Sequence, residues 1–313
     1  MWRDVRFRTE DQIELVGRIY AAEGARPAPG IVMCHGFGGV QSQIEHYAEF
    51  FADGGFPVLV YDHRGFGFSA GSPRQEVDPY LQISDWRSAL TYAADQPEFD
   101  AAAGFGVWGS SFAGGLAMVV AANDPRVRCV VAQIPNVSGH RNSLRLFTDD
   151  QRDELRRLAA ADRAGRLRGE PPMTVPLFPA APGAFAAFTL GIPAGLIERA
   201  AEASPIWRNE VTIRSLEHLI EFEPAGWAPY VSPKPLLMIV GEEDVCAFAD
   251  VQLDVFAGLP EPKRLVTYPG GHFEAYGRFF QETAGPARAW FQDHLQPRAA
   301  DAPKPVAAGQ PPA

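Results

Sequence analysis

Residues 4–9 (DVRFRT) and 13–22 (IELVGRIYAA) alternate apolar and polar positions on either side of the polar turn Glu10-Asp11-Gln12. A period of two is that of a half-buried strand, so the pair predicts an antiparallel hairpin at a sheet edge. The pattern then changes. GIVMCHGFGG (30–39), FPVLVYDHRGFG (56–67), AGFGVWGS (103–110) and VRCVVAQIPNV (127–137) are short, nearly continuous apolar runs, three of them ending in or beside glycine. Such runs suit strands covered on both faces. Between them lie IEHYAEFFADGG (44–55), with helical spacing and a glycine stop, and DPYLQISDWRSALTYAADQ (78–96), an amphipathic stretch opened by Asp-Pro. FAGGLAMVVAAND (112–124) reads as a mostly apolar helix. Strand–helix alternation of this kind predicts a mostly parallel sheet with helices on both faces.

The alternation breaks after Ser138. Residues 139–230 are rich in Arg and Glu, helical in pattern, and interrupted by Pro and Gly, with no evident strand of the sheet. It resumes with KPLLMIVGEED, FADVQLDVFAGL, KRLVTYPGGH and RFFQETAGPARAWFQDHL, read as strand, helix, strand and helix. The simplest reading is one α/β core (1–138 and 231–296) of about eight strands, carrying a helical cap insertion (139–230). No internal repeat is evident.

Composition narrows the partners. The chain has 313 residues, a formal net charge of −10, and 46% hydrophobic and 21% charged residues, a balance suited to a globular domain. An acidic surface repels nucleic acid and anionic membrane. No apolar run reaches the roughly 18 residues of a membrane span. The N-terminus, MWRDVRFRTED, lacks the apolar stretch of a signal peptide, so a cytoplasmic location is expected. Cys34, Cys129 and Cys246 are widely separated and without CxxC spacing, which predicts reduced thiols and gives no zinc signature. Residues 297–313 are rich in Pro and Ala, with too little bulky apolar surface to order themselves.

Chemistry concentrates at VWGSSFAGG (107–115). A nucleophilic serine must hold its Oγ clear of its own backbone, which a sharp strand-to-helix turn at positive φ achieves. Strand and helix nearly touch there, so the residues two before and two after must be small. With Ser110 at the apex those residues are Trp108 and Phe112, which clash; with Ser111 they are Gly109 and Ala113, which fit. Ser111 is therefore the candidate nucleophile. The amides of Phe112, at the first turn of the following helix, and of Phe37, in the glycine-rich HGFGG loop, are the candidate oxyanion donors. His35, at the start of that loop, reads as a prop rather than a base. Of the seven histidines, His46, His218 and His294 fall in amphipathic helices and are expected at the surface. His63 and His140 do not follow the candidate acid. His272 follows the last strand after two glycines and is the candidate base. The acid should leave the preceding strand at Glu242, Glu243 or Asp244; Asp244 leaves enough loop to turn back toward His272, with Glu243 next.

Taken together, HGFGG, YDHRGFGFSAG, WGSSFAGG, GEED and PGGHFEAY resemble the α/β-hydrolase-fold serine hydrolases in order and spacing, over residues 31 to about 295. RSLEHLIEFEPAGW and SPKPLLMIVGEED resemble, more narrowly, a group related to dienelactone hydrolase and X-Pro dipeptidyl-peptidase that includes polyketide thiohydrolase- and acyltransferase-like members. The family usually has Gly where Ala113 stands. The resemblance implies an α/β-hydrolase fold and a Ser111-Asp244-His272 triad that cleaves an ester, thioester or lactone through an acyl-enzyme. It implies no metal or cofactor. Acyl transfer to another acceptor, or cleavage of a carbon–carbon or amide bond, would use the same triad. The resemblance further implies a structural role for Asp62 and Arg64, which would fix the loop after the fourth strand. The expected partner is a small-molecule acyl substrate, and pairing into a homodimer is common in the resembled group. Phe, Leu, Ile and Trp residues of the insertion, Trp207 and Trp227 among them, predict a largely apolar pocket; Cys246 is expected beside it.

Overall fold

The computed structural model describes residues 1–22, 27–181 and 183–295; the expectation for 297–313 lies outside the described residues. The alternating N-terminal segments form β1 (Trp2–Arg8) and β2 (Glu14–Tyr20), an antiparallel hairpin. The apolar runs follow in order: β3 (Gly30–Cys34), α1 (Glu45–Asp53), β4 (Val58–Tyr61), α2 (Pro79–Ala94), β5 (Phe105–Ser110), α3 (Phe112–Asn123) and β6 (Val127–Gln133). Every residue of β3, β4 and β5 is buried, as continuous apolar runs require of strands covered on both faces. α2 begins where Asp78 accepts hydrogen bonds from the Tyr80 and Leu81 amides and Pro79 occupies the first helical position.

Residues 139–230 hold α4 (Gly139–Leu146), α5 (Asp149–Leu167), β7 (Thr174–Val175), α6 (Leu196–Ala203), β8 (Val211–Thr212) and α7 (Ile213–Glu221). β7 and β8 pair antiparallel, apart from the main sheet, and two-residue strands are too short to show a period in sequence. The core resumes with β9 (Leu236–Gly241), α8 (Ala249–Ala257), β10 (Lys263–Tyr268) and α9 (Phe280–Leu295).

The main sheet has eight strands in the order β1-β2-β4-β3-β5-β6-β9-β10. β1, β2 and β4 are joined antiparallel; every other pairing is parallel. Two apolar layers cover it. One packs Trp86 and Leu90 of α2 with Leu116 and Val120 of α3, and the other packs Tyr47 and Phe51 of α1 with Trp290 and Phe291 of α9. Trp86 and Trp108 are both fully buried, as expected of core residues. The order reverses at β3: the chain steps to β4 on one side, then returns to place β5 on the other. Loops leaving the carboxyl ends of β3 and β5 diverge, and a crevice opens between them. Among the described residues, no helix is long and apolar enough to cross a membrane.

Candidate active site

The crevice is built on the turn from β5 to α3. Ser111 stands at its apex with φ 60° and ψ −124°, a region that residues bearing a side chain rarely occupy. Its amide donates to the Gln133 carbonyl at 2.9 Å, and its carbonyl accepts from the Gly114 and Asn136 amides at 2.9 and 3.0 Å, so the strained backbone is tied to the end of β6. Ser110 points elsewhere. It is fully buried, and its Oγ lies 2.8 Å from the Tyr276 hydroxyl and 3.3 Å from Gln133 Nε2.

The structure brings Ser111, His272 and Asp244 together. Ser111 Oγ lies 2.9 Å from His272 Nε2, and His272 Nδ1 lies 2.8 Å from Asp244 Oδ2. Asp244 Oδ1 accepts from the Cys246 and Ala247 amides at 2.8 and 2.9 Å, while Oδ2 also accepts from Gln252 Nε2 at 3.1 Å. Burial would raise this carboxyl, but the His272 ring and the two amides outweigh it and hold Asp244 below the usual carboxylate range. Glu242 and Glu243 are exposed, and Glu242 is engaged by the Thr267 hydroxyl at 2.8 Å. Gln252 escaped the sequence reading. It sits on α8, eight residues beyond Asp244, and is fully buried; nothing in the sequence marks it.

The HGFGG loop runs close to the serine. A β-carbon on Gly36 would stand 3.2 Å from Ser111 Cβ and 3.6 Å from its Oγ, so a side chain there would crowd the serine. The rings of Phe37 and Phe112 meet edge to face at 5.4 Å, so the two amides named from sequence belong to touching residues. Neither amide donates to a protein acceptor among the described residues. His35 is buried behind the loop. Its Nδ1 lies 3.0 Å from the Gly36 carbonyl and its Nε2 accepts from the His63 amide at 3.1 Å, while burial lowers its pKa. A neutral Nδ1–H tautomer satisfies both contacts. Asp62 accepts from the amides of Gln41 and Phe68, and Arg64 pairs with Asp11 and Asp85, tying the loop after β4 to its neighbours.

Two expectations need correction. His46, His218 and His294 are half-buried rather than at the surface: the first packs at a tilt against Tyr47, the second lies 2.7 Å from the Val77 carbonyl, and the third packs on Trp290. An amphipathic helix places its border residues at the edge of the packed stripe, where an imidazole buries one side. Trp227 is 45% exposed and does not line the pocket over Ser111. As expected, residues 139–230 give no strand to the main sheet; the β7–β8 pair stands apart from it.

A pocket of about 360 Å³ opens over Ser111 and His272, within the range of small-molecule sites. Leu177, Phe178, Phe188 and Trp207 of the 139–230 segment line it, and Trp207 Nε1 donates to the Gly38 carbonyl at 3.0 Å. Cys246 also lines it. Asp244, Cys246 and His272 bring three metal-binding atoms within 4.8 Å of one another. Asp244 already accepts four hydrogen bonds, and burial pushes the Cys246 thiol well up, so the donor set suits a hydrogen-bonded carboxylate better than a metal.

The α/β hydrolase fold pattern matches residues 29–276. The chain is 33% identical over 275 residues to thiohydrolase aneE of Aspergillus aculeatus, covering 85% of each protein. It is 32% identical over 276 residues to the quorum-quenching protein AidA of Acinetobacter baumannii, covering 87% of this chain and 88% of that one. Further relatives are named polyketide transferase and acyltransferase. The crystal structure of the α/β hydrolase GrgF from Penicillium sp. superposes with a TM-score of 0.81 at 27% identity, covering 94% of this chain and 99% of that one.

Proposed function

The chain belongs to the α/β hydrolase family, with relatives named thiohydrolase among its matches, and on that premise we propose that it is a serine hydrolase working through an acyl-enzyme on Ser111. One observation carries this reading: Ser111 Oγ, His272 and Asp244 form a continuous hydrogen-bonded chain, with contacts of 2.9 and 2.8 Å. In this mechanism Ser111 Oγ attacks the substrate carbonyl carbon as its proton passes to His272 Nε2. Asp244, ionised and held by two amides, orients the ring and stabilises its charged form. The amides of Phe37 and Phe112 receive the oxyanion. The leaving group departs with the proton from His272, and water then releases the acid.

The substrate of this reading is an ester, thioester or lactone with an apolar acyl group, since Leu177, Phe178, Phe188 and Trp207 offer that group mostly hydrocarbon and aromatic surface. Residues 139–230 serve as the cap over it. Acyl transfer is the second reading, favoured by the relatives named transferase and by a pocket roomy enough for an acceptor. The test is a screen of p-nitrophenyl esters of increasing chain length, lactones and acyl thioesters, run with and without an alcohol or thiol acceptor. Turnover that vanishes in Ser111→Ala supports the acyl-enzyme; turnover that survives in that variant overturns it.

A further inference from the structure

Ser111 and His272 border two cavities. Beside the 360 Å³ pocket, on the side of α3, α4 and α7, lies a second of about 20 Å³. Phe188 and Cys246 stand between them, since both line both spaces. A volume of ~20 Å³ holds one water and no larger group. Its other lining is mostly apolar, Phe112, Leu146 and Leu219 among it, but three buried polar side chains interrupt it: Asn136, Asn142 and Ser143.

The two asparagines are incompletely satisfied. Asn142 Nδ2 donates to Asn136 Oδ1 at 2.6 Å, which leaves Asn136 Nδ2 and Asn142 Oδ1 without a partner. Exchanging the N and O atoms of both amides preserves the bond between them and still leaves one donor and one acceptor free. Asn136 is 5% and Asn142 2% exposed, and an orphan amide buried this deeply is destabilising. Two such groups, side by side and lining a one-water chamber that touches the serine and the imidazole, make sense if something polar is meant to sit there.

We propose that this chamber is the seat of the hydrolytic water, with Asn136 and Asn142 as its positioning residues. The inference rests on the acyl-enzyme reading of Ser111. The water oxygen bonds to the acyl carbonyl carbon as one of its protons passes to His272 Nε2. The tetrahedral adduct then expels Ser111 Oγ, which recovers that proton, giving free acid and the restored serine. The larger pocket is left to the acyl chain and to any bulky acceptor, so the chamber governs how the acyl-enzyme divides between water and acceptor.

The experiment measures that division. Wild type and Asn142→Leu are given p-nitrophenyl butyrate with 1-hexanol, an acceptor too large for the chamber, and butyric acid and hexyl butyrate are quantified. Losing the water's anchor is expected to raise the ester-to-acid ratio about tenfold, the equivalent of one hydrogen bond. Labelling of Ser111 by a fluorophosphonate should proceed at the wild-type rate, since it needs no water. Asn142→Ala replaces the leucine variant if the latter does not fold, with the same expectation. A wild-type ratio in a variant that labels normally overturns the water site alone. Wild-type enzyme that forms product while Ser111 remains unlabelled overturns the acyl-enzyme reading, and the water site with it.

Discussion

Ser110 and Ser111 are adjacent and chemically identical, yet the fold gives them opposite surroundings. Ser111 stands at positive φ with its hydroxyl against His272, while Ser110 is sealed among Tyr276 and Gln133. Ser111→Ala is expected to lower kcat by ~10⁴-fold or more while leaving Tm nearly unchanged. Ser110→Ala should instead cost stability, about 1 kcal/mol for its buried hydrogen bonds, with activity within about tenfold of wild type. Steady-state kinetics and thermal melts on the two variants separate these outcomes; the reverse pattern would mean the apex is misassigned. The choice between the two serines was legible in sequence because it turns on the size of residues two positions away. Gln252 and Tyr276 were not legible. Their contacts with Asp244 and Ser110 join residues 8 and 166 positions apart, and nothing local marks a Gln or Tyr as someone's partner.

At the scale of elements, β5 and α3 approach so closely that a β-carbon on Gly109 would lie 2.0 Å from the Ala113 carbonyl oxygen. Ala113 stands where the family usually has Gly; it is fully buried, so its methyl is already packed. Gly109→Ala therefore forces the turn open. A loss of about 1–3 kcal/mol in stability is expected from overpacking. A displacement of ~1 Å at Ser111 would lower kcat/KM by about 10²-fold. Denaturant melts and ester hydrolysis check both; a fully active Gly109→Ala enzyme would show that the turn tolerates a wider angle. The strands and helices of the core were readable because continuous apolar runs and a 3.6-residue period each have one economical burial. The 139–230 segment was less so. Its prolines break the period, and Trp207 and Trp227 look alike in sequence although one reaches the pocket and the other faces solvent.

At the scale of the whole molecule, Glu76 ties the 139–230 segment to the core. Its carboxylate accepts from Arg166 of α5 at 2.9 Å and from the Thr212 hydroxyl at 3.2 Å, and it pairs with Arg214 of α7. Burial would raise its pKa, but the two guanidinium groups prevail and hold Glu76 below the ordinary glutamate range. A carboxyl depressed by folding contributes its full stabilisation above its unfolded pKa, and that contribution is lost as pH falls through the folded value. Wild type should therefore lose stability below about pH 4.5 in part through this group. Glu76→Gln should be less stable at neutral pH by about 2 kcal/mol, a figure kept modest because Arg214 is 41% exposed. The gap between the two proteins should close as the pH is lowered. Melts across the acid range test this, and a gap that stays constant with pH would show that Glu76 does not titrate as part of the tie.

The sequence by itself determined the alternation of strand and helix, the break at Ser138, the apex serine, and a short set of candidates for base and acid. Each of these follows from period, side-chain volume or order along the chain, which are local properties. Only the tertiary structure decided the strand order, the 2.8 and 2.9 Å contacts that join residues 111, 244 and 272, the burial of the loop histidines, and the small polar chamber beside the serine. These depend on which distant surfaces meet when the sheet assembles. A sequence records which groups are available to pair; the order β3-β5-β6-β9-β10 across the sheet determines which of them do.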